Sequence, residues 1–336
     1  MKLIYKSLAV AAVGLGMAAN VVAAEFELKF QSVDESGNAN YAIQKEWADS
    51  IETLTNGRVS IDLLPVGSVV KHTETLSAMS SGIIDGHLTA TSYFSGVDPA
   101  FGLIANTVGA WSSTGQLLEF MYYGGGNELL EELYKPYGVQ YVGASTTGVE
   151  AFVSTIPLKG VDDLKGLKLR APEGLVQKVF AAAGAAPVNL PGSEVFTALS
   201  KGVIDAADYS VFSTNKQTGL HDIAKHPIQP GFHSLPLIDV SMNQKKWDSL
   251  PADVQAIFKM SVRHFAEDIT TRLRRADDIA VKETGSDVTI HNWPAEERQK
   301  FRAIAQGEWV KAAEASPNAK KVYDVLIAHL ENSGLL

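Results

Sequence analysis

The chain has 336 residues, of which 46% are hydrophobic and 20% are charged, so it can bury one large core or two medium ones and is not globally disordered. Its 29 basic and 38 acidic residues give a net charge of −9, which argues against a nucleic-acid-binding protein. The sequence contains no cysteine, which excludes disulfides, thiolate metal sites and cysteine nucleophiles.

The first 24 residues have the pattern of a secretory signal peptide. Lys2 and Lys6 form a positive start, Leu8 to Ala19 is apolar, and Val22-Ala23-Ala24 supplies the small residues of a cleavage site. A membrane anchor would need a longer apolar run. We therefore expect an exported protein whose mature chain begins at Glu25.

Strands and helices alternate along the first part of the mature chain. The apolar periodicity predicts a strand at 26–30, a helix at 41–55, a strand at 59–63, a helix at 72–81 and a strand at 83–89. This β-α-β-α-β order is typical of a mainly parallel sheet covered by helices.

The same alternation continues to the last third of the chain, which is mostly helical. The predicted elements are a helix opening at 127, strands at 139–142 and 167–170, a helix at 174–183, a strand at 188–190, a helix at 194–200 and a strand at 204–209. A helix over about 252–283 is long enough to brace two lobes. A short strand at 288–290 and two more helices follow. The fold class is therefore α/β.

No catalytic motif is present in the sequence. G-x-S-x-G, H-E-x-x-H and G-x-x-x-x-G-K-[ST] are all absent. Of the eight histidines, only His221, His226 and His233 lie near one another in sequence, and ordinary surface or hydrogen-bonded roles are favoured over a metal site. We expect no enzymatic activity.

Three predicted strand ends carry candidate ligand-binding residues. Arg170 ends the strand at 167–170, and ligands of open α/β sheets bind beyond the carboxyl ends of strands. Its guanidinium can hold a carboxylate through two parallel hydrogen bonds. Asp208 could hold a cation or a ligand ammonium group, and Tyr209 could stack on the ligand. Tyr93 could form an aromatic wall. The alternatives are a surface ion pair for Arg170 and ordinary packing for the others.

Several segments resemble the extracytoplasmic solute-binding proteins of tripartite ATP-independent periplasmic (TRAP) transporters. The central ones are Leu164-Lys165-Gly166-Leu167-Lys168-Leu169-Arg170, Pro187-Val188-Asn189-Leu190-Pro191, Glu194-Val195-Phe196-Thr197-Ala198-Leu199 and Gly202-Val203-Ile204-Asp205-Ala206. Tyr122-Tyr123-Gly124-Gly125-Gly126 and Asp98-Pro99-Ala100-Phe101 look closest to the branch that binds 2-oxo acids.

The resemblance implies a two-lobed periplasmic binding protein fold with a ligand cleft between the lobes and a long bridging helix. The expected organisation is a signal peptide at 1–24, a first lobe at 25–148 and a second lobe at 149–236, each with part of 237–285, and a C-terminal helical region at 286–336.

The resemblance also implies which residues bind the ligand. Arg170 stands at the family's carboxylate-clamp position. Asp208 and Tyr209 match a strand end where the 2-oxo acid branch places a glutamate that helps to hold a cation, and a tryptophan. The branch has a Pro-Gly-Trp element followed by an acidic residue, and the corresponding segment here reads Pro230-Gly231-Phe232-His233-Ser234, without that acidic residue. This difference argues against a bound metal at Asp208 and against a simple 2-oxo acid as the ligand. Further candidates for the cleft are Asn189, Thr147, Glu150, Phe152 and Phe212.

The implied function is capture of a small organic acid in the periplasm and delivery to TRAP membrane permease subunits. Asp208, Glu150 or Asp34 could meet a positive group of a zwitterionic ligand. No resident cofactor is expected, and a homodimer stays open. The alternatives are a ligand-binding component of a signalling receptor and a periplasmic enzyme on a similar scaffold.

Overall fold

A computed structural model describes residues 24–336, so the predicted signal peptide lies outside the described residues except for Ala24. The described residues form two β-sheets surrounded by helices. The strands are β1 (Phe26–Ser32), β2 (Val59–Leu64), β3 (Gly86–Ala90), β4 (Val139–Ser145), β5 (Ala151–Ser154), β6 (Lys168–Arg170), β7 (Ala186–Val188), β8 (Ala206–Ser210) and β9 (Ile238–Asn243).

Thirteen α-helices lie within the described residues. They are α1 (Ala39–Leu54), α2 (Thr75–Ser81), α3 (Pro99–Ala105), α4 (Thr114–Tyr123), α5 (Gly126–Tyr134), α6 (Leu175–Ala182), α7 (Val195–Ser200), α8 (Phe212–Gln217), α9 (Leu220–Ile223), α10 (Gln244–Ser249), α11 (Ala252–Lys282), α12 (Ala295–Ala313) and α13 (Pro317–Asn332).

The first sheet has the strand order β2-β1-β3-β9-β4. β1 is parallel to β2 and β3, as the β-α-β-α-β pattern predicts, because each connecting helix returns the chain to the same end of the sheet. β9 is antiparallel to both β3 and β4. The prediction of a mainly parallel sheet is therefore correct for only half of this sheet.

The second sheet has the order β5-β8-β6-β7. β6 is parallel to β7 and β8, whereas β5 is antiparallel to β8. The strand predicted at 188–190 lies two residues earlier, because β7 pairs with β6 in the register Lys168↔Ala186. The strand predicted at 288–290 is absent, and only His291 makes an isolated bridge, to Ile228.

The chain crosses between the sheets twice before α11 begins, once between Ser145 and Ala151 and again between Ser210 and Ile238. Each sheet with its helices forms one lobe. α11 has 31 residues, close to the predicted length, and packs against α1, β4 and α8. Its buried residues follow the 3- and 4-residue spacing of one helix face, Val254, Phe258, Val262, Phe265, Ile269 and Leu273.

The two C-terminal helices, α12 and α13, pack against helices of the two lobes. α12 packs against α3 and α6, and α13 packs against α3, α5 and α12. Trp309 of α12 is buried and donates to the Val108 carbonyl at 3.1 Å. None of the helices in residues 24–336 combines the length and hydrophobicity that a bilayer crossing requires.

Candidate functional site

A cavity of about 150 Å³ lies where strand ends of the two sheets face each other. Asp34 follows β1, Tyr93 follows β3, Arg170 ends β6, and Asp208 lies in β8; all four line the cavity. The carboxyl ends of parallel strands are where open α/β sheets bind ligands. A cavity of this size suits a small molecule.

Arg170 is held by the backbone of its own lobe. It is 5% exposed, its Nε donates to the Leu190 carbonyl at 3.0 Å, and its Nη1 donates to the Asp208 carbonyl at 2.6 Å. The parallel register places it opposite Ala207, next to Asp208. A guanidinium has five N–H donors, so these two bonds leave three for a ligand.

Glu150, Asp208 and His233 form a buried cluster beside Arg170. One oxygen of each carboxyl group and one ring nitrogen of His233 all lie within 4.8 Å of one another. His233 Nε2 is 3.4 Å from Asp208 Oδ1, too poorly aligned for a hydrogen bond. Glu150 and Asp208 line the cavity, whereas His233 packs behind them against Phe152 and Phe180.

The pKa values of the two carboxyl groups of this cluster shift in opposite directions from their usual ranges. Burial raises the pKa of Glu150 well above its usual range, and the nearby charge of Asp208 raises it further. Burial also acts to raise the pKa of Asp208, but His233, the neighbouring Glu150 carboxyl group and the charge of Arg170 together lower it. Asp208 is therefore the more acidic carboxyl group of the pair.

Ser234 and Asn106 extend the cluster into the first lobe. Asn106 Nδ2 donates to Ser234 Oγ at 2.7 Å, and Ser234 acts to lower the pKa of the nearby Glu150 carboxyl group. The backbone N–H of Glu150 also donates to the Ser234 carbonyl at 2.9 Å. Asn106 lines the cavity and is 3% exposed. These bonds connect the cleft-facing residues of both lobes.

The opposite wall of the cavity carries an acidic residue and aromatic rings. Asp34 accepts from Gln44 Nε2 at 2.8 Å and from Asn40 Nδ2 at 3.3 Å, but burial outweighs these bonds and raises its pKa to about 6. The ring of Tyr93 meets His72 edge-on, with 4.4 Å between centroids. On the Asp208 side of the cavity, burial raises the pKa of Tyr209 of β8 to about 12, so this hydroxyl stays protonated.

Seven of the ten residues proposed for the cleft line the cavity. They are Asp34, Tyr93, Thr147, Glu150, Arg170, Asp208 and Tyr209. Phe152 is fully buried and packs on Phe180 instead. Asn189 is exposed and lies outside the cavity lining, because β7 ends at Val188 and only the backbone beyond it turns toward Arg170. Phe212 is fully buried against His221 at 4.5 Å and does not line the cavity either.

The predicted histidine neighbours separate in space. His221 packs on Phe212, and His226 Nδ1 is 3.1 Å from His291 Nε2. Only His233 reaches the cluster at the cleft. Sequence reasoning missed Asn106, which has no local motif and reaches the cavity because α3 ends immediately before it.

Asp208 belongs to a group of three residues that could reach a metal, with Glu150 and His233. The group offers two carboxyl groups and an imidazole, fewer ligands than the six to eight oxygens that calcium takes, so further ligands would have to come from elsewhere. The Asp208 cation suggested by the resemblance stays a prediction.

Comparison with known proteins identifies the family. The profile of the family described as "Bacterial extracellular solute-binding protein, family 7" (DctP) matches residues 30–315. The chain belongs to this family. Its members are solute-binding proteins rather than enzymes, and the chain is accordingly a TRAP solute-binding protein.

Individual relatives agree with this family assignment. A monocarboxylate 2-oxoacid-binding periplasmic protein of a Nostoc species is 33% identical over 63% of this chain, an alignment that spans 58% of the relative's length. A TRAP solute-binding protein from Rhodobacter sphaeroides, solved in an apo open form, is 55% identical over 92% of this chain and 99% of that chain, with a TM-score of 0.77.

A third relative was solved with a ligand. The TRAP solute-binding protein from Pseudoalteromonas atlantica, with bound sodium and pyruvate, is 26% identical over 92% of this chain and 94% of that chain, with a TM-score of 0.81. The two-lobed architecture of the DctP family is thus the fold of this chain.

Proposed function

We propose that this DctP-family protein binds a small organic acid in the periplasm and delivers it to the membrane permease of a TRAP transporter. The observation that carries the proposal is Arg170, whose buried guanidinium is fixed by the Leu190 and Asp208 carbonyls and has donors to spare beside the cavity. A carboxylate is the group that matches such a fork.

The lobe assignment follows from the same reasoning. We take residues 25–148 as the first lobe and 149–236 as the second, each completed by part of 237–285, with 286–336 packed on both. The strand membership of the two sheets supports these limits. Arg170 and Asp208 then belong to the second lobe, and Asp34, Tyr93 and Asn106 to the first, so a ligand would contact both.

The relatives' ligands support the ligand class. The Nostoc relative is named for monocarboxylate 2-oxo acids, and the Pseudoalteromonas relative holds pyruvate. Both are small carboxylates, which fits a cavity of about 150 Å³. Closure of two lobes around such a ligand excludes water and strengthens its contact with Arg170.

The test is a binding screen with Arg170 variants. Oxo, hydroxy, amino and sulfonic acids are screened by thermal shift, since a ligand at 100 times its Kd adds about 2.7 kcal/mol to stability. For any acid that binds, Arg170→Ala is expected to cost about 2–5 kcal/mol of binding free energy, and Arg170→Lys to restore only part of it because lysine lacks the fork.

Lys168→Ala is the matched control, because Lys168 lies on the same strand but is exposed and outside the cavity. It should bind like the wild type. Wild-type affinity in Arg170→Ala would contradict the proposal. The melting temperature of each ligand-free variant separates lost binding from lost folding.

A further inference from the structure

Two buried acceptor oxygens in the cleft have no hydrogen-bond partner within residues 24–336. They are Asn106 Oδ1 and Asp208 Oδ2. Both side chains line the cavity, one from each lobe, and Asp208 is only 1% exposed. Buried polar atoms are nearly always paired in native proteins, so two unpaired acceptors at one cavity call for donors from a ligand.

Both atoms are acceptors by their chemistry, because an amide oxygen and a carboxylate oxygen carry no proton. Asn106 Nδ2 already donates to Ser234 Oγ at 2.7 Å, which leaves Oδ1 as the unpaired end of that amide. His233 also has unpaired ring nitrogens, but its Nε2 lies 3.4 Å from Asp208 Oδ1, the other oxygen of that carboxyl group. We call Asn106 Oδ1 and Asp208 Oδ2 the acceptor pole.

The charged residues around the cavity also favour a ligand that carries a positive group. Asp34, Glu35, Glu150 and Asp208 line it, whereas Arg170 is its one arginine or lysine within the described residues. A ligand that carries only a negative group would pair with Arg170, but it would leave both acceptor oxygens without a donor and add negative charge to an acidic cavity. A ligand that also carries a positive group would pair its carboxylate with Arg170 and its positive group with the acceptor oxygens.

We propose that the ligand is a small zwitterion, whose carboxylate binds Arg170 and whose ammonium group donates to Asn106 Oδ1 and Asp208 Oδ2. This inference rests on the proposed function and narrows its ligand class. One ammonium group has three N–H donors and can therefore meet both oxygens. A 2-oxo acid offers only acceptors and would need an added cation at the same place.

The test compares acids that differ at one substituent. The full mature protein is titrated calorimetrically with three sets: alanine, lactate and pyruvate; valine, 2-hydroxyisovalerate and 2-oxoisovalerate; and 4-aminobutyrate, 4-hydroxybutyrate and butyrate. The buffer contains a chelator and choline as its cation. In any set that binds, the amino member should bind about ten- to a hundredfold tighter than the others, the range for a charged hydrogen bond.

Asp208→Asn supplies the second arm, because it keeps the side-chain volume and turns an acceptor into a donor. The amino member should lose about tenfold or more in affinity, and the oxo member, or butyrate in the third set, should lose nothing or gain. An equal loss for all members would show a structural role and overturn the inference. Asp205→Asn is the matched control, since Asp205 lies just before the same strand and outside the cavity.

The outcomes separate the two proposals. Oxo or hydroxy members that bind as tightly as the amino member, or binding that appears only when sodium or calcium is added, would overturn the zwitterion while leaving the acid-binding function intact. If no acid of these sets or of the thermal-shift screen binds, the proposed function itself fails.

Discussion

Arg170 is oriented before any ligand arrives. Its two backbone bonds, to Leu190 and Asp208, fix the plane of the guanidinium, so little side-chain entropy remains to be lost on binding. The Asp208 carbonyl that holds Arg170 belongs to the residue whose carboxylate forms the acceptor pole. The two poles of the site are therefore fixed relative to each other by one residue of β8.

Asp239 organises the core of the first lobe in a similar way. It is fully buried and accepts from His87 Nε2 at 2.9 Å, Thr91 Oγ1 at 2.6 Å, Tyr134 OH at 2.9 Å and Ser241 Oγ at 2.6 Å. Burial alone would raise the pKa of Asp239, but these partners, with His87 first, lower it. Although Asp239 and His87 resemble part of a catalytic triad, their full burial keeps them from any substrate.

The low pKa of Asp239 gives a pH-dependent prediction. Asp239→Asn should destabilise the protein by at least about 1.5–3 kcal/mol at pH 7, the worth of one hydrogen bond to a charged group. Because the folded pKa lies below the unfolded value of about 3.9, the contribution is complete above that pH and is lost as the pH falls through the folded pKa.

Urea denaturation from pH 7 to pH 3 measures this contribution. The difference in unfolding free energy between wild type and Asp239→Asn should be constant near neutral pH and should become smaller below about pH 4. The control is Asp253→Asn, which removes an exposed partner of Arg58 and should leave stability nearly unchanged. A gap that widens toward acid pH would contradict this assignment.

The sequence revealed the site residues that lie at strand ends and missed those placed by tertiary contacts. Arg170, Asp208, Tyr209 and Tyr93 could be found because parallel strands bring their carboxyl ends to one edge. The assignment of Asn189 stays a prediction, since Asn189 lies just beyond the end of β7 at Val188 and does not line the cavity of this structure. Asn106 could not be found, since nothing local shows that α3 ends at the cleft.

The apolar periodicity did not predict β9, the strand with which the chain returns to the first sheet. β9 has apolar residues at Ile238, Val240 and Met242, but Asp239 and Ser241 between them are buried as well. A charged residue in a strand buried on both faces argues against a strand until its partners are known. Those partners come from β3, α5 and the turn after β3, far away in sequence.

The segment between β8 and β9 passes the cleft in very close contact with the start of β5. A Cβ atom at Gly231 would lie 1.8 Å from the Glu150 carbonyl oxygen, so any side chain there must push the two segments apart. Arg298 holds the same turn by donating to the Gly231 carbonyl at 2.6 Å. This contact keeps Ser234 and Glu150 together.

Gly231→Ala should therefore weaken both stability and ligand binding. Overpacking typically costs about 1–3 kcal/mol, and displacement of Glu150 moves its carboxyl group relative to Asp208. Gly37→Ala is the matched control, because no atom lies within 4 Å of its added Cβ. Thermal unfolding and calorimetry check both effects, and a Gly231→Ala protein that matches the control in both would contradict the proposed role of this contact.

The two lobes are in close contact where Gly174 of the second lobe faces Ser95 of the first. A Cβ at Gly174 would lie 2.8 Å from Ser95 Oγ across the two lobes.

The long helix and the two crossings explain how such an arrangement can open. α11 contains no proline or glycine and packs on elements of both lobes, so it can act as a brace while the crossings at 145–151 and 210–238 change their backbone angles. The sequence predicted this helix to within one residue, because its apolar stripe runs without a breaker.

The most direct test of the account is a crystal structure of the protein with the acid that binds tightest in the screen. The account predicts a carboxylate enclosed between the lobes, with its oxygens about 2.7–2.9 Å from the free donors of Arg170. A ligand seated outside the cavity, or one whose carboxylate avoids Arg170 while Arg170 keeps its two backbone bonds, would contradict it.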